Sequence, residues 1–211
     1  MQNKRMENSV KSLTNLYTVV IGISLTYAIS RVVDVNAGLD SITLSPVALF
    51  VAFAATLFPF FHGAMRHLYD TYIHASAERE TAEPQPKSAA LIVDFVLLFF
   101  HALALILLSL LLKNPGHFAW VLSVVLAIDV AWGVFVNFSS SKKTAGLSAE
   151  SRWAIINFVF VFVVISFLVT QDIYLGELST PWKVSVPLCL ACLLRTLVDY
   201  VWCREFYFPN N

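Results

Sequence analysis

Apolar residues run in six long stretches, near 13–33, 45–66, 89–112, 117–138, 153–170 and 182–203, broken by short polar segments. Each stretch is about long enough to cross a ~30 Å hydrocarbon core as a helix, which takes roughly 17–25 residues. The pattern predicts an all-α integral membrane bundle of six transmembrane helices in a single domain covering 1–211. The second helix is expected to run on to residue 74. There His62, Arg66 and Asp70 share one face at i, i+4, i+8, and His67, Asp70 and His74 share an adjacent face.

Local signals refine the boundaries. Helix one is expected to begin after Ser12 or Thr14. Ser45-Pro46 and Thr180-Pro181 read as an N-cap followed by proline in the first turn. Pro59 cannot donate to the helix ladder and frees the carbonyl one turn back. Asn114-Pro115-Gly116 makes helices three and four a tight hairpin. Tryptophans 120, 153, 182 and 202 are placed to anchor at membrane interfaces. The segments 75–88 and 139–152 read as solvated linkers.

Composition agrees with this reading. Hydrophobic residues make up 58% of the chain and charged residues 13%, about half the share of an ordinary globular domain. Mean hydropathy is +0.71. The polar stretches are too short to hold an appended globular domain. Lysine and arginine then set the orientation. Lys4, Arg5, Lys11, Arg66, Arg79, Lys87, Lys142, Lys143, Arg152 and Arg204 fall on one side, and Arg31, Lys113 and Lys183 on the other. By the positive-inside rule both termini are cytoplasmic, in a cell inner (plasma) membrane of prokaryotic type.

Charged residues inside the apolar stretches are the informative exceptions. An ionised group at the bilayer centre costs roughly 2.5–3.5 kcal/mol on insertion scales, so such groups face protein or water and mark function by default. His62, Arg66, Asp70, Asp94, Asn157, Arg195 and Asp199 fall toward the cytoplasmic side of this topology, with His101 and Asp129 near the middle. They form the candidate transport path or buried polar cluster. Arg66–Asp70 and Arg195–Asp199 are spaced as local ion pairs. Two arginines against four aspartates leave an excess of two negative charges, which favours protons or a cation over an anion. Tyr27, Arg31 and Asp34, at the far end of helix one, are the candidate outer mouth.

The leading expectation is a small channel or transporter for protons, cations or a small polar solute, working through a cytoplasm-facing polar vestibule. The alternative is a non-transporting sensor or effector that docks a cytoplasmic partner through the helix-two extension and the 75–88 and 139–152 loops. A membrane enzyme acting on a lipid or quinone is a third reading. Against it stands the absence of H-E-x-x-H, G-x-S-x-G and phosphate-binding glycine motifs, so no catalytic residue is assigned. No cofactor or metal is expected. His67, Asp70 and His74 have the residue types of a partial metal site but lack a completing set. Cys189 and Cys192 read as small buried residues. The bilayer is the expected partner, with a second copy of the chain and a cytoplasmic protein as further candidates and no nucleic acid.

Overall fold

The computed structural model describes residues 2–33, 42–74, 88–139, 147–175 and 180–209, with backbone only at 2–5, 74, 88–89, 137–139 and 171–175. Long helices follow one another: α1 (Gln2–Val32), α2 (Leu44–Tyr69), α3 (Ser88–Leu110), α4 (Pro115–Ser139), α5 (Ala149–Leu175) and α6 (Trp182–Trp202). A π-helical turn (Asp70–His74) prolongs α2, and a short α7 (Arg204–Tyr207) closes the chain. No strand occurs among the described residues. Six helices contain apolar spans of 21 to 30 residues, long enough to cross a membrane. Many large apolar side chains stay exposed on their outer faces, including Phe99, Phe100, Phe158, Phe162, Leu194 and Val201.

Three helix pairs carry most of the packing: α4 with α5, α2 with α6, and α1 with α3. Close approach has a visible cause in two places. A Cβ on Gly63 would lie 2.7 Å from the Trp153 ring, so α2 and α5 touch there only because glycine has no side chain. A Cβ on Gly133 would meet the Glu150 carbonyl at 3.0 Å and Ala154 at 3.2 Å, on the α4–α5 seam.

Pro59 behaves as its chemistry requires. The Ala55 carbonyl that it leaves without a helical donor accepts a hydrogen bond from the Thr196 hydroxyl of α6. Thr196→Val is therefore expected to cost about 1 kcal/mol of fold stability by leaving that carbonyl unpaired, measurable by denaturant titration in detergent micelles.

Several boundaries differ from expectation. α1 is helical from Gln2 rather than from Ser12 or Thr14. Its first turns lack proline and glycine, Lys11 pairs with Glu7 at 2.6 Å, and Val10 and Leu13 pack on Leu68 and Tyr72. Helix α2 starts at Leu44 after Thr43, so Ser45 is not its cap, and Thr43 makes no side-chain capping bond either. The Thr180 hydroxyl is buried without a hydrogen bond, so it does not cap α6. Helix α5 begins a turn earlier than its apolar stretch, because Ser148 Oγ accepts from the Ser151 N–H at 3.2 Å. Asn114 does cap α4: its carbonyl takes the Phe118 N–H at 2.9 Å and its side chain takes the His117 N–H at 3.4 Å.

Candidate functional site

One end of the bundle is polar inside and the other apolar. Toward the Asn114 turn, the core is Leu49, Phe53, Leu105, Leu108, Phe118, Leu122 and their neighbours, all buried. The serines there satisfy themselves on their own helices, Ser109 on the Ile106 carbonyl and Ser123 on that of Ala119. Toward α7, all six long helices send polar side chains to one cavity of about 50 Å³. Tyr17 comes from α1, His67 from α2, Asp94 and His101 from α3, Asp129 and Trp132 from α4, Trp153 and Asn157 from α5, and Arg195 and Asp199 from α6. That volume suits one or two water molecules. Drug-sized ligands need several hundred Å³.

Three hydrogen-bonded groups surround the cavity. In the first, Arg195 donates through Nε to the Asn157 side-chain oxygen at 2.7 Å, and the Asn157 amide donates to the Asp129 carboxylate. Asn157 thus relays between a guanidinium and a carboxylate that do not touch directly. The guanidinium also lies 5.4 Å from the Phe60 ring centroid, a cation–π distance. In the second group, Asp94 accepts from the Tyr72 hydroxyl at 2.6 Å and faces His67 Nε2 at 3.2 Å. The other ring nitrogen of His67 lies 4.0 Å from Glu150, so the imidazole sits between two carboxylates.

In the third group, Asp199 accepts from the Tyr207 hydroxyl at 2.8 Å. Burial and the Asp199 charge hold the Tyr207 phenol far above its ordinary range, so this O–H stays a donor at any pH the protein meets. The same two causes push the neighbouring Cys203 thiol up to about 12. Around Tyr207 the C-terminal segment builds an aromatic floor. His62 packs on Tyr207, Phe208 and Tyr200 at 4.8, 5.5 and 6.0 Å, and Trp153 packs edge-on against Phe206 at 4.8 Å. Arg66 pins this floor through the Phe206 carbonyl at 3.1 Å, and Arg152 pins it through the Trp202 carbonyl at 2.8 Å.

Asp94, His101, Asp129, Asn157, Arg195 and Asp199 are thus gathered at one cavity, as their depth in the sequence suggests. Arg66 and Asp70 form an ion pair at 3.1 Å, outside it. His62 belongs to the aromatic floor. Arg195 and Asp199 are not an ion pair: Arg195 turns to Asn157 and Phe60, while Tyr207 takes Asp199. Tyr27 and Arg31 lie on the exposed face of α1, because the buried stripe of that helix runs through Val10, Leu13, Tyr17, Ile21, Ser24 and Ala28. Asp34 lies outside the described residues. The His67, Asp70, His74 face is broken where π-helical winding begins at Asp70, and His67 and Asp70 face different partners. Among the described residues no group of three or more metal-ligating side chains occurs.

Tyr17, Tyr72, Trp132, Trp153, Glu150 and Tyr207 are members of the site that the charge pattern does not flag. Trp153 lines the cavity rather than anchoring at an interface, whereas Trp120, Trp182 and Trp202 stay exposed. Tyrosine and tryptophan in membrane helices read as anchors or filling, so only the three-dimensional packing separates Trp153 from the others. Neither known protein families nor curated proteins nor solved structures yield a match to this chain.

Proposed function

We propose that this chain is a multi-pass membrane protein of the inner or plasma membrane that works as a small channel or transporter for protons, cations or a small polar solute. The cytoplasmic side is the α7 end, where ten of the fourteen lysines and arginines fall in the six-crossing topology. The single observation that carries the reading is the convergence of polar side chains from all six long helices on one cavity. His67–Asp94 and Arg195–Asn157–Asp129 join neighbouring helices, and beyond these pairings three carboxylates, two imidazoles and one guanidinium share one space, which suits an ion path. The exposed apolar faces of α3 and α5 suit lipid or a second copy of the chain.

Ion flux through purified protein in liposomes tests this. Wild type should carry flux under an imposed pH or cation gradient, and Asp94→Asn and Asp129→Asn should each lower it about 10²-fold or more, the scale for losing a positioned proton-transfer group. Unchanged flux from well-folded variants would refute the path.

A second reading draws on the dry half of the bundle, where apolar side chains fill the core between the helices. A protein closed in this way could instead be a membrane sensor or effector that docks a cytoplasmic partner. Replacing 75–88 with Gly/Ser separates the two, since a transporter keeps its flux and a docking protein loses its partner in pull-downs.

A further inference from the structure

The cavity wall discriminates among the ions that the transport reading allows, and the inference that follows rests on that reading. Among the described residues, six polar atoms at the cavity make no hydrogen bond of good geometry, although the Trp153 indole faces the Asp199 carboxylate: Tyr17 hydroxyl, His101 Nε2, the indole nitrogens of Trp132 and Trp153, Arg195 Nη1 and Asp199 Oδ1. The residues carrying four of them are almost wholly buried, Tyr17 at 3%, His101 at 5%, Arg195 at 6% and Asp199 at 2% exposure. Three of the six atoms are obligate N–H donors. A metal cation stripped of water needs a shell of oxygens, and neither indole nor guanidinium supplies one. One of the two Asp129 carboxylate oxygens is already engaged by the Asn157 amide.

Charge points the same way. With Arg66 and Asp70 neutralising each other outside, the cavity faces Asp94, Asp129 and Asp199 against Arg195 alone. With neutral imidazoles and all three acids ionised, that is an excess of two negative charges around a space of about 50 Å³. Protons can neutralise that excess at the acids themselves, without a coordination shell.

His101 is the group able to pass them on. Its Nδ1 lies 3.0 Å from the Leu97 carbonyl, which can only accept, so Nδ1 carries a hydrogen. In the neutral ring Nε2 is then the acceptor. The surroundings of the ring are Phe60 of α2 at 5.4 Å, Tyr17 of α1, and Asp129, Asn157, Arg195 and Asp199 across the cavity, with Asp94 two turns back on its own helix.

We propose that the species carried is the proton, relayed between His101 Nε2 and the carboxylates of Asp129 and Asp199 through one or two waters in the cavity. Each transfer balances. Nε2 binds a proton from a water or a carboxylic acid to give the imidazolium, then returns it to the next water, and no other bond changes.

The test uses full-length protein in liposomes that trap a pH dye together with a sodium or potassium indicator. Wild type should show proton flux that is unchanged when potassium is replaced by choline, with no sodium or potassium signal. His101→Gln should lower proton flux about 10²-fold while gel filtration and thermal unfolding match wild type. Sodium or potassium flux without proton flux overturns the proton assignment and leaves the transport reading standing. No flux of any ion overturns both. Undiminished proton flux in folded His101→Gln overturns the role of His101. Where that variant does not fold, the selectivity of the wild type alone decides the proton assignment.

Discussion

Arg195→Met should destabilise the fold by about 3–5 kcal/mol, the range for removing one member of a buried charged network. Among the described residues at the cavity, Arg195 is the one side chain that stays cationic at every ordinary pH, and the cavity also faces Asp94, Asp129 and Asp199. Methionine keeps much of the side-chain volume, so the loss is electrostatic rather than a void. It strands the Asn157 oxygen and leaves the carboxylates without a counter-charge. Arg195→Lys should fall between, since an ammonium keeps the charge but lacks the planar fork that reaches Asn157 and stacks on Phe60. Adding Asp199→Asn to Arg195→Met should restore part of the loss by removing one unpaired acid. Chemical unfolding in detergent micelles reads all three. A change below about 1 kcal/mol for Arg195→Met would show that the guanidinium is not a counter-ion at this site.

Gly63→Ala is the second large effect, expected to cost about 1–3 kcal/mol through overpacking. Its Cβ would sit 2.7 Å from two atoms of the Trp153 ring, which also packs against Phe206 and Tyr207 at 4.8 and 5.9 Å. Trp153 must shift, which should alter the tryptophan fluorescence as well as the stability. Gly22→Ala is the matched control. A Cβ there has nothing within 4 Å, and alanine is the better helix former, so it should be neutral or stabilise by up to about 1 kcal/mol. Equal effects at both positions would mean that the α2–α5 contact is not close-packed at Gly63.

Much of the architecture is written in the hydropathy pattern because a span needs twenty or so apolar residues and the chain contains six such runs. The depth of Asp94, Asp129, Arg195 and Asp199 is equally legible, since rise per residue converts position into height. Partner choice is not. The i,i+4 spacing that makes Arg66–Asp70 an ion pair also occurs at Arg195 and Asp199, which bond elsewhere. What differs is the neighbouring helix: α5 presents Asn157 to Arg195, and the C-terminal segment returns Tyr207 to Asp199. Along α1 the buried stripe follows the 3.6-residue turn, which drifts from a 3.5-residue period. That drift takes Tyr27 and Arg31 off the buried face and leaves Tyr17 and Ser24 on it. The π-helical turn at Asp70–His74 has no sequence signal that marks it, and it alone breaks the His67, Asp70, His74 register.

The bundle is expected to hold water at the polar site of its α7 end and to exclude it from the apolar half. Hydroxyl radicals generated by radiolysis of water, with modified residues located by mass spectrometry of protein in lipid nanodiscs, test it directly. Tyr17, Trp132 and Trp153 should be modified, because water beside them becomes the oxidant. Phe53 and Phe118, buried in the dry half, should remain untouched. Equal protection of both sets would contradict the account, since a dry cavity cannot carry protons. Equal modification of both sets would contradict it too, since the bundle would then have no barrier to close.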